Sequence, residues 1–151
     1  MDKQATYELM LQQQAGLLDL EKDPIAALAN SSALLNETLP GSVFTGFYLY
    51  NGEELILGPF QGRVSCTRIK MGKGVCGESA EKRQTMIVDD VKQHANYIAC
   101  DSAAMSEIVV PIVKGERLIG VIDLDHSETH AYDATDQHYL EQLAEQLAEL
   151  Y

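Results

Sequence analysis

Apolar residues recur at roughly helical spacing in the first forty residues of the chain. They predict a helix over residues 3–20, whose apolar positions are Tyr7, Met10, Leu11, Leu17 and Leu18. Asp23 followed by Pro24 is typical of an N-cap and a first helical residue, which predicts a second helix from Pro24. Residues 38–41, Thr-Leu-Pro-Gly, are expected to end it.

The middle of the chain changes to strand-like patterns bounded by turn residues. Strands are predicted over residues 43–50, 54–57, 63–69, 85–88, 107–114 and 117–125. Asn51-Gly52 predicts a tight hairpin between the first two strands, and Gly115-Glu116 is expected to join the last two. On the last strand, alternation puts Leu118, Ile122 and Leu124 on one face and Ile119, Val121, Asp123 and Asp125 on the other.

Two segments complete the pattern. Residues 89–106 form a polar connection with little periodicity, and loops of this length in compact domains are usually functional or disordered. A last helix is predicted to open at Asp133, with Asp136 as a capping-box-like acid and an apolar stripe of Leu140, Leu143, Leu147 and Leu150.

The order of elements predicts an α+β fold, with helices packed on one face of an antiparallel sheet. We expect one domain over residues 1–151. Its predicted parts are the N-terminal helices (1–40), the sheet with its active-site loops (43–126) and the C-terminal helix (133–150).

Composition narrows the functional classes. Apolar residues make up 46% of the chain and charged residues 23%, which is ordinary for a globular protein. The net charge of −12 disfavours nucleic acid as a partner. No apolar run reaches eighteen residues, and the N-terminus lacks the features of a secretory signal, so we expect no membrane association and a cytoplasmic location.

Three cysteines are the strongest candidates for covalent chemistry. Cys66, Cys76 and Cys100 are separated by nine and twenty-three residues, which does not fit the paired spacing of a zinc site. Their odd number argues against a closed disulfide framework. The residues alone leave two readings open, a redox-active trio or three packed thiols.

Basic residues crowd the segment that holds two of the cysteines. Six of the eleven Lys and Arg residues lie there, at Arg63, Arg68, Lys70, Lys73, Lys82 and Arg83. Cys76 precedes a short helix predicted over residues 79–83, so its sulfur is expected near unpaired N–H groups. Nearby cations and a helix N-terminus both favour thiolate, which predicts at least one reactive cysteine.

Acidic residues stand where the last strand should bury apolar ones. If the last two strands pair through their tight connection, Glu107 falls opposite Asp123 and Asp125 at one edge of the sheet. Such a cluster suits binding an ammonium group or holding a proton for donation, although a strand end in water fits alternation equally well. His94, in the Cys100 loop, could influence a thiol, and the histidines predict no metal site.

Several of these segments together resemble one enzyme family. LGPFQGRVSCTRIKMGKGVCGES, IACDSAAMSEIVVPI and LIGVIDLDH are similar to the free methionine-R-sulfoxide reductases, single GAF-domain enzymes that reduce the R epimer of free methionine sulfoxide. The resemblance implies a GAF-like domain with a central antiparallel sheet of about six strands and N- and C-terminal helices packed on it.

The family implies roles for individual residues. Cys100 would be the nucleophile, Cys66 the resolving thiol and Cys76 a third thiol able to enter disulfides, with the choice of resolving thiol between Cys66 and Cys76 left open. Glu107, Asp123 and Asp125 match the family's active-site carboxylates, expected to bind substrate. Phe44 stands where a tryptophan commonly lines the methyl pocket, Tyr97 replaces a frequent histidine, and Met105 replaces a polar residue.

The implied reaction is thiol-dependent reduction of free methionine-(R)-sulfoxide to methionine. Cys100 attacks the sulfoxide sulfur, an acid assists departure of the oxygen, and the resulting sulfenic acid condenses with a nearby thiol to a disulfide. Thioredoxin or a similar dithiol restores the thiols, and no metal or organic cofactor is needed. The sequence is compatible with a homodimer and leaves the oligomeric state open.

Two other functions remain compatible with the sequence. One is a non-catalytic GAF module that binds a small ligand, with its cysteines as packing residues. The other is a thiol redox sensor that forms a disulfide without a dedicated substrate.

Overall fold

The computed structural model describes residues 2–151. Its elements are α1 (Lys3–Leu20), α2 (Pro24–Thr38), β1 (Ser42–Tyr50), β2 (Glu54–Gly62), β3 (Arg68–Lys70), α3 (Gly74–Lys82), β4 (Met86–Val88), a 3-10 turn (Val91–Gln93), β5 (Ser106–Lys114), β6 (Arg117–His126) and α4 (Ala134–Ala148). No helix within this described part is long and apolar enough to cross a membrane.

Six strands form one antiparallel sheet in the order β3-β2-β1-β6-β5-β4. The predicted α+β class, the antiparallel sheet and the strand number of about six are confirmed. Gly115 adopts φ +62° between β5 and β6, the left-handed conformation that the predicted tight connection requires. The first and last strands of the chain, β1 and β6, are far apart in sequence but pair with each other at the centre of the sheet.

One face of the sheet is covered by α1, α2 and α4. The N-caps Asp2 and Asp23 accept hydrogen bonds from the first turns of α1 and α2. Asp133 and Asp136 form the predicted capping box of α4. These helices bury their apolar stripes against the sheet in a core that includes Tyr7, Leu28, Leu35, Ile122, Leu124, Leu140 and Leu147. We call this side the helix face.

The opposite side, which we call the thiol face, is covered by α3 and the connection before β5. The prediction that all helices pack on one face is therefore wrong for α3. The helix also begins at Gly74, five residues earlier than predicted. Gly77 permits this position, because a Cβ there would lie 2.5 Å from the carbonyl oxygen of Lys70. Val75, Cys76 and Ala80 of α3 are buried against the sheet.

The predicted strands at 54–57 and 63–69 have the wrong bounds. β2 continues to Gly62, which pairs with Phe44, and β3 contains only Arg68–Lys70. Pro59 is tolerated because β3 pairs only with the first part of β2, so no ladder donor is needed on that side. Residues 63–67 form a connection in which Val64 is 92% exposed.

A β-bulge changes the predicted faces of β6. Ile112 pairs with Gly120 and Val113 with Leu118, which leaves Ile119 as an extra residue on β6. Leu118 consequently packs in the thiol-face core and Ile119 in the helix-face core, the reverse of strict alternation. The alternation holds beyond the bulge, which keeps Asp123 and Asp125 on the thiol face with Val121.

Candidate active site

A disulfide joins the connection after β2 to the connection before β5. Cys66 and Cys100 are bonded, with their Cα atoms 5.4 Å apart, and they are 34 positions apart in sequence. The phenolic oxygen of Tyr48 donates to the carbonyl of Cys66 at 2.9 Å and lies 3.2 Å from the hydroxyl of Ser65. The strand β1 thus fixes the Cys66 side of the bond.

Cys76 is the free cysteine, and it is buried in the first turn of α3. Its Sγ lies 3.9 Å from Oε2 of Glu107. Burial, followed by repulsion from Asp123 and Glu107, raises the pKa of the Cys76 thiol well above its usual value. The expected activation of Cys76 by nearby cations and the helix start is therefore wrong, since the acids and burial keep this thiol neutral.

Four of the six cationic residues of this segment have acidic or carbonyl partners. Arg63 pairs with Asp101 and Arg68 with Glu54 at 3.4 Å. Lys82 lies 3.9 Å from Glu78, and Arg83 donates to the carbonyl of Glu116 at 2.5 Å. These contacts explain why a basic run in the sequence did not produce a basic environment at Cys76.

Three carboxyl groups converge as predicted. Glu107 on β5 pairs directly with Asp125 on β6, and the neighbouring pair places Asp123 opposite Val109. Glu107 and Asp123 are buried, with Asp123 only 4% exposed. Oδ1 of Asp123 and Oδ1 of Asp125 are also buried and accept no hydrogen bond from the described residues. Their capacity is therefore free for a proton or a ligand donor, and they do not form a strand end in water.

Burial and mutual repulsion hold protons on this cluster. Desolvation raises the pKa of Glu107 well above its usual value, and the charges of Asp123 and Asp125 raise it further. Desolvation also raises the pKa values of Asp123 and Asp125. A carboxyl group that keeps its proton toward neutral pH can donate it to a substrate oxygen.

Cys100 of the disulfide and the three carboxyl groups line one small cavity. Its volume is about 20 Å³, and its walls come from Tyr48, Ser65, Ile69, Gly74, Val75, Cys76, Tyr97, Ile98, Cys100, Asp101, Glu107, Asp123 and Asp125. The predicted polar connection carries Tyr97 and Cys100 over the thiol face. Sequence reasoning missed Tyr48 and Ser65. Tyr48 could have been found, because on β1 it has the same even spacing as Phe44.

Phe44 lies beside the site, behind its wall. It pairs with Asp125 in the β1–β6 ladder, and its ring stacks on Phe60 and Tyr48 with centroids 5.1 Å and 5.9 Å apart. Its ring is buried and is not among the cavity's lining groups. Its role at the substrate methyl group stays a prediction.

His94 is turned toward α3. Its Nε2 lies 2.6 Å from Oε1 of Glu78, and Asn96 donates to the same oxygen and to the carbonyl of Gly72. These contacts anchor the start of the Cys100 connection to α3. The imidazole therefore holds a carboxylate, which is a different role from the predicted influence on a thiol.

One group of donors among residues 2–151 has the spacing of a metal site. Single ligand atoms of Cys76, Glu107 and Asp123 lie within 4.8 Å of one another. Metal ligands must be deprotonated, and the raised pKa values of all three groups work against that. The same properties suit a site that exchanges protons with an organic ligand.

The sequence of this chain is similar to those of known GAF-domain proteins. Residues 23–150 match the family model described as the GAF domain. The chain is 40% identical to a free methionine-R-sulfoxide reductase of Escherichia coli over 97% of its own length and 89% of the relative's.

Two solved structures are similar over nearly the whole fold. The free methionine-R-sulfoxide reductase from Neisseria meningitidis, in complex with its substrate, superposes with a TM-score of 0.96 at 43% identity, covering 99% of this chain and 90% of that one. The fRMsr of Staphylococcus aureus in complex with substrate gives a TM-score of 0.90 at 44% identity, covering 95% and 94%.

Proposed function

Because the chain belongs to the GAF domain family and, within it, to the free methionine-R-sulfoxide reductases, we propose that it reduces free L-methionine-(R)-S-oxide to L-methionine with Cys100 as nucleophile. One observation carries the proposal: Cys100, which is disulfide-bonded to Cys66, lines the same cavity as the three carboxyl groups. Thiols alone would fit a redox sensor, and acids alone would fit a binding module. Their combination is what reduction of a sulfoxide requires.

The first half of the cycle transfers oxygen from substrate to enzyme. The Cys100 thiolate attacks the sulfoxide sulfur while a protonated carboxyl group of the Glu107, Asp123 and Asp125 cluster donates to the oxygen. The transient bond between the two sulfurs and the substrate's sulfur–oxygen bond both break as the oxygen bonds to the Cys100 sulfur, so that methionine leaves and Cys100 becomes a sulfenic acid. Because the pKa values of Glu107 and Asp125 are raised, a carboxyl group of the cluster still carries a proton to donate at neutral pH.

The second half of the cycle removes that oxygen as water. The Cys66 thiol attacks the sulfur of the Cys100 sulfenic acid, so that the sulfur–sulfur bond forms as the sulfur–oxygen bond breaks. Thioredoxin or a similar dithiol then reduces the disulfide by exchange. Cys76 takes no part in this disulfide; we assign its neutral thiol to the binding site, next to Glu107.

The same cluster gives a reason for preferring a free amino acid. An ionised carboxylate of the cluster can bind the substrate's ammonium group, which a methionine inside a peptide lacks. Phe44, stacked behind Tyr48, supports the aromatic wall toward the substrate methyl group. All groups of the cycle come from one chain, so the proposal needs no second copy. Its dependence on a dithiol is consistent with work in the reducing cytosol.

The test is a single turnover without external reductant. Fully reduced protein is mixed with excess free methionine-R-sulfoxide, and methionine and cysteine connectivity are measured. We expect one methionine per protein and a Cys66–Cys100 disulfide with Cys76 still alkylatable after denaturation. A sensor that oxidises without forming methionine would contradict the proposal, and so would a binding module that leaves all thiols reduced. A Cys76–Cys100 bond would exchange the two resolving roles.

A further inference from the structure

An ion pair crosses between the same two segments as the disulfide. Nη2 of Arg63 lies 2.5 Å from Oδ1 of Asp101, and Nε of Arg63 donates to Oδ2 at 3.2 Å. Arg63 precedes Cys66 by three residues, and Asp101 directly follows Cys100. The side chain of Arg63 is 69% exposed and that of Asp101 is 11% exposed. The two links therefore join the same two segments beside each other, and Cys100 and Asp101 both line the cavity.

Asp101 is fixed in the orientation that receives Arg63. The backbone N–H of Ala103 donates to Oδ1 of Asp101 at 2.9 Å, and that of Ala104 donates to its carbonyl at 3.2 Å. The hydrogen bonds from Arg63, followed by the one from Ala103, lower the pKa of Asp101, so it stays ionised. A two-point arginine–carboxylate contact of this kind defines an orientation as well as a distance.

Apart from the disulfide, the Arg63–Asp101 pair supplies the long-range hydrogen bonds at the tip of the Cys100 connection. Its start is anchored through Asn96 and its end through Met105, whose N–H donates to the carbonyl of His126. Between these anchors, the hydrogen bonds of residues 97–104 within the described chain are local turns, apart from the Arg63–Asp101 contact. Reduction of the disulfide leaves the opposite charges of Arg63 and Asp101 in place, so the pair remains available to tie the two segments.

We propose that Arg63 is a positioning residue for the resolving step. Through Asp101 it keeps the Cys100 sulfur within reach of Cys66 during the part of the cycle in which no bond joins them. The step itself is the condensation given above, in which the Cys66 thiol displaces the sulfenic oxygen as water. Its rate and its equilibrium both depend on the effective concentration of one sulfur at the other. This inference rests on the proposed function for its kinetic consequence, but the tie between the segments does not.

The first measurement separates sulfoxide reduction from disulfide formation. In a single turnover, Arg63→Gln should form methionine within about twofold of the wild-type rate. Its disulfide should form about threefold to thirtyfold more slowly, the range expected for loss of a charged two-point contact that is partly solvated. Dimedone should trap more sulfenic acid on Cys100, and Arg63→Lys should recover part of the rate. Arg68→Gln, which removes an exposed cation paired elsewhere, is the matched control and should behave as wild type.

The second measurement needs no substrate. The Cys66–Cys100 disulfide is equilibrated with glutathione redox buffers, and its effective concentration should fall by a similar factor in Arg63→Gln but not in Arg68→Gln. The double variant Arg63→Gln/Asp101→Asn should have nearly the same effective concentration as either single variant, because each single substitution already removes the same contact.

Three results would overturn the inference: an unchanged effective concentration in Arg63→Gln, equal losses in Arg68→Gln, or slowing of methionine formation to the same extent as disulfide formation. The last result would assign Arg63 to the chemical step. If even the wild-type protein forms no methionine, the proposed function fails, and the glutathione equilibrium still decides whether Arg63 ties the two segments.

Discussion

Both faces of the sheet bury acidic side chains, but the two faces differ in how many hydrogen bonds those acids receive. On the helix face, Asp136 is 2% exposed, and it accepts from Tyr7 at 2.5 Å, from Lys3 at 2.6 Å and from the N–H of Asp133 at 2.8 Å. On the thiol face, Asp123 and Asp125 each keep a buried oxygen without a donor. Buried polar groups are normally satisfied, and those that are not carry an energetic cost. The comparison shows that Asp136 stabilises the fold through its hydrogen bonds, whereas Asp123 and Asp125 keep oxygens that are free to bind a ligand.

Cys100→Ser tests the thiol face with the largest expected effect. Reduction of free methionine-R-sulfoxide should fall at least about a thousandfold, because serine cannot form the sulfenic intermediate. The melting temperature, measured with reductant present, should match that of reduced wild-type protein. Turnover near the wild-type rate would remove Cys100 from the mechanism.

Asp125→Asn should separate activity from stability. The change keeps the side chain's shape and removes its proton-donating carboxyl group, so kcat/KM should fall by about a hundredfold to ten-thousandfold, or roughly 3–5 kcal/mol of barrier. The free energy of unfolding should stay equal or rise, because one of several crowded charges is gone. Unchanged activity in both Asp125→Asn and Glu107→Gln would mean that these acids have no role in catalysis.

Cys66→Ser should uncouple the first turnover from the following ones. Methionine should still form once, but steady-state turnover with thioredoxin should drop by at least about tenfold. Without Cys66, the Cys100 sulfenic acid cannot form the intramolecular disulfide that thioredoxin reduces. Dithiothreitol should partly restore turnover by reducing the sulfenic acid directly. Cys76→Ser is the comparison variant, and a recycling defect confined to it would transfer the resolving role to Cys76.

The same substitution on the helix face should have the opposite outcome. Asp136→Asn should lower the free energy of unfolding by about 2–3 kcal/mol, because an amide cannot satisfy Lys3, Tyr7 and the N–H of Asp133 together. That corresponds to roughly 5–10 °C in melting temperature. The kcat/KM of the folded protein should not change. A stable Asp136→Asn protein would erase the distinction between the two faces.

The pH dependence of stability should show the smallest effect. The thiol-face acids have raised pKa values, so the folded protein binds more protons than the unfolded one, and stability falls as pH rises from about 4 through the raised values. Removing one acid reduces that fall. The stability difference between Asp125→Asn and wild type should therefore be near zero below about pH 4 and grow to about 1 kcal/mol toward neutral pH. Urea unfolding of reduced protein across this range measures it, and a difference independent of pH would contradict the assignment.

Local patterns predicted much of the fold and of the carboxyl cluster. The capping residues of α2 and α4 and the tight connection at Gly115 lie within a few residues of the features they determine. The same connection and the bulge at Ile119 together set the register that brings Glu107 to Asp125. Periodicity failed where a contact from elsewhere decided the outcome, as at the bulge of Ile119.

Long-range contacts were less accessible to sequence reasoning. The Cys66–Cys100 pairing came from family resemblance, since spacing alone left the cysteines open. The contact between Arg63 and Asp101, 38 positions apart, left no local signal at all. At Cys76, a count of nearby cations gave the wrong sign, because those cations point to the surface while the acids lie on the buried side.

The cavity beneath the disulfide has room for about one water molecule and none for an amino acid. In the proposed cycle, the oxidised protein therefore binds neither methionine nor its sulfoxide. Only the reduced fraction of the population competes for either. Scarcity of reducing power would then withdraw whole sites from use during turnover, which lowers Vmax and the apparent KM for the sulfoxide by the same factor and leaves kcat/KM unchanged.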